Sequence, residues 1–275
     1  MGHTSQQGYD YLSWAIDWTT VAMYIFFAMS GFGLVISYLK NKQYINGFLK
    51  KSLTKLFVPY LIALVLYVLY RWAEGIDQVE LFRSEGLYSF VPTSWYIWVL
   101  SYFYVFFYVT FKYIKSSNLI KVLTLCALVM AYVIIAPHIG ISPWRYLRCP
   151  AFCVGAFCAL YDEIIRAYFK RWHVLLALGL LCIFFMQPHL RYLDPLCSAA
   201  TIFLVMYLLP PLKEFRIVRF LSSISLEMFI IQFLPIYFCM NVLGITNTAI
   251  MIPSVLTLDI LLAHLMHKLI KRIRL

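Results

Sequence analysis

A chain of 275 residues that is 63% hydrophobic, 18% aromatic and only 13% charged carries more apolar surface than a soluble domain of that size hides. Its apolar runs are continuous rather than alternating, which excludes a transmembrane β-barrel and leaves an all-α fold class, a polytopic membrane helical bundle. The formal net charge of +11 would suggest nucleic acid in a soluble protein, but its distribution between loops accounts for it here, and no nucleic-acid partner is expected.

The chain opens on Met1-Gly2-His3-Thr4-Ser5, without the basic start and apolar centre of a cleavable signal peptide. A lone external histidine such as His3 is ordinarily solvated. Nine apolar spans follow, near 19–39, 56–72, 94–111, 119–137, 147–161, 173–187, 195–210, 221–240 and 247–267, in a single domain covering 1–275. Several are shorter than the ~20 residues a span usually needs. Alternate loops and the tail hold 18 of the 23 basic residues, among them Lys40, Lys42, Lys50, Lys51, Lys55 and Lys268. That asymmetry puts the basic side and the C-terminus in the cytoplasm and the N-terminus outside, with an odd number of spans.

In the first span, Ser30-Gly31 has the small side chains that let membrane helices pack closely. Beyond it Lys50, Lys51 and Lys55 are four and five residues apart and share one helical face. They read as an anchor to anionic lipid, or as a clamp for a phosphate-rich cytosolic donor such as a coenzyme A thioester. The external loop at 73–93, with Glu74, Asp77, Glu80 and Glu85, reads as an acidic solvated loop or as a lid over an external acceptor. Trp95 and Tyr96 open the third span, where an aromatic belt is the default reading. The seven cysteines sit in or beside apolar runs and form no zinc-type pairs, so they read as small buried hydrophobes and no metal is expected.

Ionisable residues at membrane depth are costly and tend to be functional. Glu227 in the eighth span is a general base, a proton-relay group or a helix-pairing partner. Asp259 lies in the ninth, with His264 and His267 on one face close enough to the basic tail to be interfacial.

The order of these motifs resembles the integral-membrane acyltransferase 3 family. Phe26, Phe27, Ser30, Gly31 and Phe32 match its two-Phe, gap, Ser-Gly-Phe helix end. Lys50, Lys51, Lys55, Pro59 and Tyr60 match its basic loop leading to a Pro-Tyr helix. Trp95-Tyr96-Ile97 resembles the Trp-Phe-Leu start of a later span, Phe152, Gly155 and Ala156 its F-x-x-G-A stretch, and Ser225-Leu226 its Ser-Leu stretch near the end. Family members typically have ten helices with both termini inside, and a first helix with an Arg eleven residues before a His set in a Gly-His-Thr-like context. The resemblance therefore implies that Met1 lies within that first helix, that most of it is missing and that His3 is its histidine. Eleven residues rise about 16 Å, which would put a restored His near mid-membrane.

The resemblance implies an O-acyltransferase, with acetyl-CoA as donor and the hydroxyl of a surface polysaccharide or lipid-linked glycan as acceptor. His3 would be the general base, and Lys50, Lys51 and Lys55 would lie near the donor phosphates. Ser30, Trp95 and Glu227 are candidates for the substrate pocket. The setting would be a bacterial inner membrane, with membrane lipids as further partners. Two departures stand out: the family's Arg-x-x-Arg before Pro-Tyr becomes Ser52-x-x-Lys55, and Gln232 stands where a histidine often occurs in the penultimate helix. A Lys in place of Arg loses the bidentate phosphate fork. The alternatives are a secondary transporter or flippase coupled through Glu227 and Asp259, and an inactive truncated relative.

Overall fold

A computed structural model describes residues 14–75, 90–168, 200 and 215–273. Among them every regular element is helical. Helix α1 covers Trp14–Lys40, α2 Tyr44–Ala73, α3 Ser94–Tyr113 and α4 Asn118–Ile135. A 3-10 turn at Ala136–Ile139 ends on Gly140, whose φ of 76° suits a residue without a Cβ. The short α5 (Pro143–Tyr146), α6 (Pro150–Leu160) and α7 (Asp162–Tyr168) follow. Beyond the next described boundary come α8 (Arg216–Ile231), α9 (Phe233–Tyr237), a π turn at Phe238–Val242 and α10 (Thr248–Ile273).

Local chemistry sets several of these boundaries. Ser117 caps α4 by accepting from the Ile120 N–H. Proline opens α5 and α6 at positions 143 and 150, where a missing N–H costs nothing. Five described helices are long and apolar enough to cross a membrane, and the α8–α9 pair adds a sixth if its two bent halves count as one span.

The expected spans fare unevenly against this architecture. Those near 19–39, 56–72, 94–111, 119–137 and 247–267 correspond to α1, α2, α3, α4 and α10. The one expected at 147–161 is the 11-residue α6, about 16 Å long and too short to cross a bilayer alone. Its Ala151, Phe152, Cys153, Gly155, Ala156, Cys158 and Ala159 are buried, so most of the helix is covered by protein, with Phe157 left exposed. The span expected at 221–240 is broken by a 57° bend between α8 and α9. Those at 173–187 and 195–210 lie outside the described residues, Ala200 excepted.

The chain divides into two compact units, Met1–Lys50 with Tyr102–Pro210, and Lys51–Ser101 with Pro211–Leu275. In the first, α1 crosses α6 with backbones almost touching. A Cβ on Gly31 would run into the Phe152 carbonyl oxygen and stand 3.2 Å from the Ala156 nitrogen. A Cβ on Gly155 would strike the Ala28 carbonyl and stand 2.8 Å from the Ala28 Cα. With no hydrophobic drive between helices in lipid, close packing of this kind holds them together. Around the crossing, the Phe103 ring lies 5.6 Å from Phe27, 5.0 Å from Phe152 and 6.1 Å from Tyr132.

In the second unit, α8 packs on α10 and the α8–α9 bend sits beside α2. Pro235 lacks the N–H that the Ile231 carbonyl would receive in a continuous helix, which explains a break here. The Ile230 carbonyl, at the bend, accepts from the buried Tyr67 hydroxyl at 3.2 Å and from the buried Thr93 hydroxyl at 3.1 Å. Irregular backbone at membrane depth persists where such partners satisfy it.

Candidate functional site

Lys50, Lys51 and Lys55 lie in the first half of α2, ahead of Pro59, and all three are exposed. An exposed basic face at the start of a membrane helix suits phosphate in either form considered, a lipid headgroup or a soluble thioester. Ser30 belongs to the α1–α6 crossing. Its hydroxyl donates to the Phe26 carbonyl one turn earlier at 2.8 Å, so it is engaged with its own helix. The two motif stretches around Ser30-Gly31 and around Phe152-x-x-Gly155-Ala156 thus meet as a packing unit.

Trp95 and Tyr96 are buried, at 5% and 3% exposure, and not arrayed at a lipid-facing belt. Tyr96 sets its ring edge-on to Phe229 of α8 at 4.8 Å, and Trp95 lies edge-on to Tyr96 at 6.0 Å. Phe229 is two residues from Glu227 on α8, so the third helix and the Glu227 helix are locked together by aromatic contacts.

Glu227 is paired. Its Oε1 lies 2.8 Å from His267 Nδ1, joining α8 to α10, with side-chain exposures of 8% for the acid and 20% for the imidazole. With Glu227 ionised, His267 donates from Nδ1 and keeps its lone pair, or its second proton, on Nε2. A carboxylate that fixes an imidazole in this way is the arrangement of an oriented base, and equally of a two-helix clasp. His267 is therefore drawn into the interface between α8 and α10, a pairing its nearness to the basic tail did not announce. The sequence carried a signal for it, since a carboxylate at membrane depth requires a partner and the last helix supplies two histidines at a comparable level. His264 instead sets its ring 5.3 Å from Phe220.

His3 lies outside the described residues, so the base expected there has no described geometry. Ser30 and Lys50 fall in the first unit, and Lys51, Lys55, Trp95 and Glu227 in the second. Among the described residues, no three His, Cys, Asp or Glu side chains are grouped to hold a metal ion.

A comparison with protein families matches the acyltransferase 3 model, described as an acyltransferase domain, over residues 1–265. No curated protein and no solved structure matches the chain.

Proposed function

Because the chain belongs to the acyltransferase 3 family of membrane acyltransferases, we propose that it moves an acetyl group from acetyl-CoA to a hydroxyl of a surface polysaccharide or lipid-linked glycan. The match over residues 1–265 is the observation that carries the reading, because it runs through both compact units and leaves only the basic tail outside. In the reaction a base takes the proton of the acceptor hydroxyl as its oxygen attacks the thioester carbonyl. The tetrahedral intermediate then collapses, the C–S bond breaks, and coenzyme A leaves as the thiol. His3 is the base in this reading, and a neutral imidazole suits that task near pH 7.

Lys50, Lys51 and Lys55 hold the donor phosphates, a role their exposure supports. Glu227, oriented with His267, lines the pocket with Trp95. Ser30 contributes through the α1–α6 crossing rather than through its engaged hydroxyl. The protein works in a bacterial inner membrane with its C-terminus in the cytoplasm.

One observation favours a second reading as a secondary transporter or flippase. The 57° break between α8 and α9 is of the kind that forms solute sites in transporters. Donor dependence separates the two. Purified protein in lipid vesicles is given labelled acetyl-CoA and a glycan acceptor, and free thiol and labelled glycan are measured. Stoichiometric release of both supports the acyltransferase, and His3→Ala should abolish it with insertion intact. Proton-driven uptake of a solute, without thioester consumption, would replace it by the transporter.

A further inference from the structure

The Tyr67 hydroxyl that braces the α8–α9 bend is also the centre of a group of polar side chains that the reaction outlined above does not use. Asp259 of α10 is 8% exposed, and its Oδ1 has no partner. Arg71, one turn beyond Tyr67 on α2, has a buried Nη1 without a partner. Both charges lie close enough to act electrostatically on the Tyr67 hydroxyl, as does the Tyr237 hydroxyl of α9. Next to them, the Tyr70 and Tyr237 rings stack at 6.2 Å, and Asn241 of the π turn reaches the Tyr70 hydroxyl at 3.4 Å. The whole group belongs to the second unit.

Burying a carboxylate oxygen and a guanidinium nitrogen with nothing bound to either is costly, and both groups act electrostatically on the one hydroxyl that braces the broken helix. The cost is removed by a ligand that donates to one and accepts from the other. A cation suits Asp259 but is repelled by Arg71, and an anion suits Arg71 but is repelled by Asp259. A neutral ligand dense in hydroxyls meets both, since each hydroxyl donates and accepts. The stacked tyrosines add apolar ring faces of the sort that pack against a sugar's C–H face.

We propose that Asp259, Arg71 and the tyrosines around Tyr67 form a binding site for a neutral, polyhydroxylated ligand, a sugar residue of the acceptor. A ligand hydroxyl donates to Asp259 Oδ1 and a ligand oxygen accepts from Arg71 Nη1. Its identification as the acceptor site rests on the acetyl-transfer reading above. The site lies toward the end of α2 that is remote from Lys50, Lys51 and Lys55, so donor and acceptor reach the protein at opposite ends of that helix.

The test uses the full chain in lipid vesicles with a panel of methyl glycosides as probes, and compares wild type with Asp259→Leu, Asp259→Asn and Arg71→Gln. Equilibrium dialysis reads glycoside binding directly. Labelled acetyl-CoA reads transfer to the glycoside and donor hydrolysis separately. Binding of at least one glycoside, weakened roughly tenfold or more in Asp259→Leu and Arg71→Gln, is expected, because a site built for a hydroxyl discriminates strongly once a partner is lost. The KM for acetyl-CoA and the hydrolysis rate should stay within about twofold of wild type, since neither residue is near the lysines. Asp259→Asn keeps the shape and an acceptor oxygen, so its unchanged melting temperature guards against a folding artefact. Glycoside affinity unchanged in correctly folded Asp259→Leu and Arg71→Gln overturns the site, as does binding of no glycoside by wild type. Glycoside binding that needs both residues, in a protein that never consumes acetyl-CoA, keeps the site and defeats the acetyl-transfer reading.

Discussion

His267 Nδ1 lies 2.8 Å from Glu227 Oε1, across forty residues of sequence, and closes α10 against α8. Neither group is at home in a membrane interior, and each makes the other tolerable. Removing one partner of a buried pair leaves an uncompensated charge, which typically costs about 3–5 kcal/mol, whereas replacing both by packed neutral groups costs far less.

The pair should therefore behave asymmetrically. His267→Ala is expected to lower the melting temperature in detergent more than Glu227→Gln, which keeps an acceptor and removes the charge. The double variant should be more stable than His267→Ala alone. A double-mutant cycle on thermal unfolding checks this, and strict additivity would remove the pair from any structural role.

The α1–α6 crossing gives a prediction with an internal control. Gly31→Ala and Gly155→Ala each force a Cβ into a backbone carbonyl across the interface. Overpacking of that kind typically costs about 1–3 kcal/mol, and more where backbone rather than a side chain must move. Gly33 sits on the same helix with nothing within 4 Å of a new Cβ. Gly33→Ala should be neutral, or stabilising by up to about 1 kcal/mol from helix propensity. Size-exclusion profiles and melting curves of the three variants decide the matter, and equal behaviour of all three would mean that the crossing is not close.

The basic face of α2 is tested by salt and by kinetics together. Replacing Lys50, Lys51 and Lys55 by Gln should raise the KM for acetyl-CoA several-fold and flatten its dependence on ionic strength, with kcat little changed. If the three serve only as a lipid anchor, the donor KM stays put and only association with anionic lipid falls.

Much of this was legible in the sequence, and the rest was hidden for identifiable reasons. The small pair Ser30-Gly31 announced a close helix contact, and its partner turns out to be α6, where Gly155 makes the matching close approach. An apolar run does not say whether lipid or protein will cover it, so α6 read as a span although seven of its eleven residues are buried in the fold. The eighth expected span reads as continuous because hydropathy runs straight through Pro235, where the structure bends. The Glu227–His267 contact depends on how α8 and α10 rotate about their axes, and spacing within one helix does not reveal rotation against another. Ser30 reads both as a close-packing residue and as a pocket candidate, and its rotamer, donating to the preceding turn, could not be read from spacing.

The bend itself offers the sharpest structural test. Tyr67 and Thr93 both donate to the Ile230 carbonyl, at 3.2 and 3.1 Å. Either hydroxyl alone leaves the carbonyl a side-chain donor, so Tyr67→Phe and Thr93→Val should each cost only about 1 kcal/mol. Losing both removes every side-chain donor from a buried oxygen, and the double variant should cost more than the sum by about 1–3 kcal/mol. Thermal unfolding of the four proteins in one detergent measures the coupling. A coupling near zero would mean that the bend is held by Pro235 and the packing of α10 alone, with the two hydroxyls incidental to it.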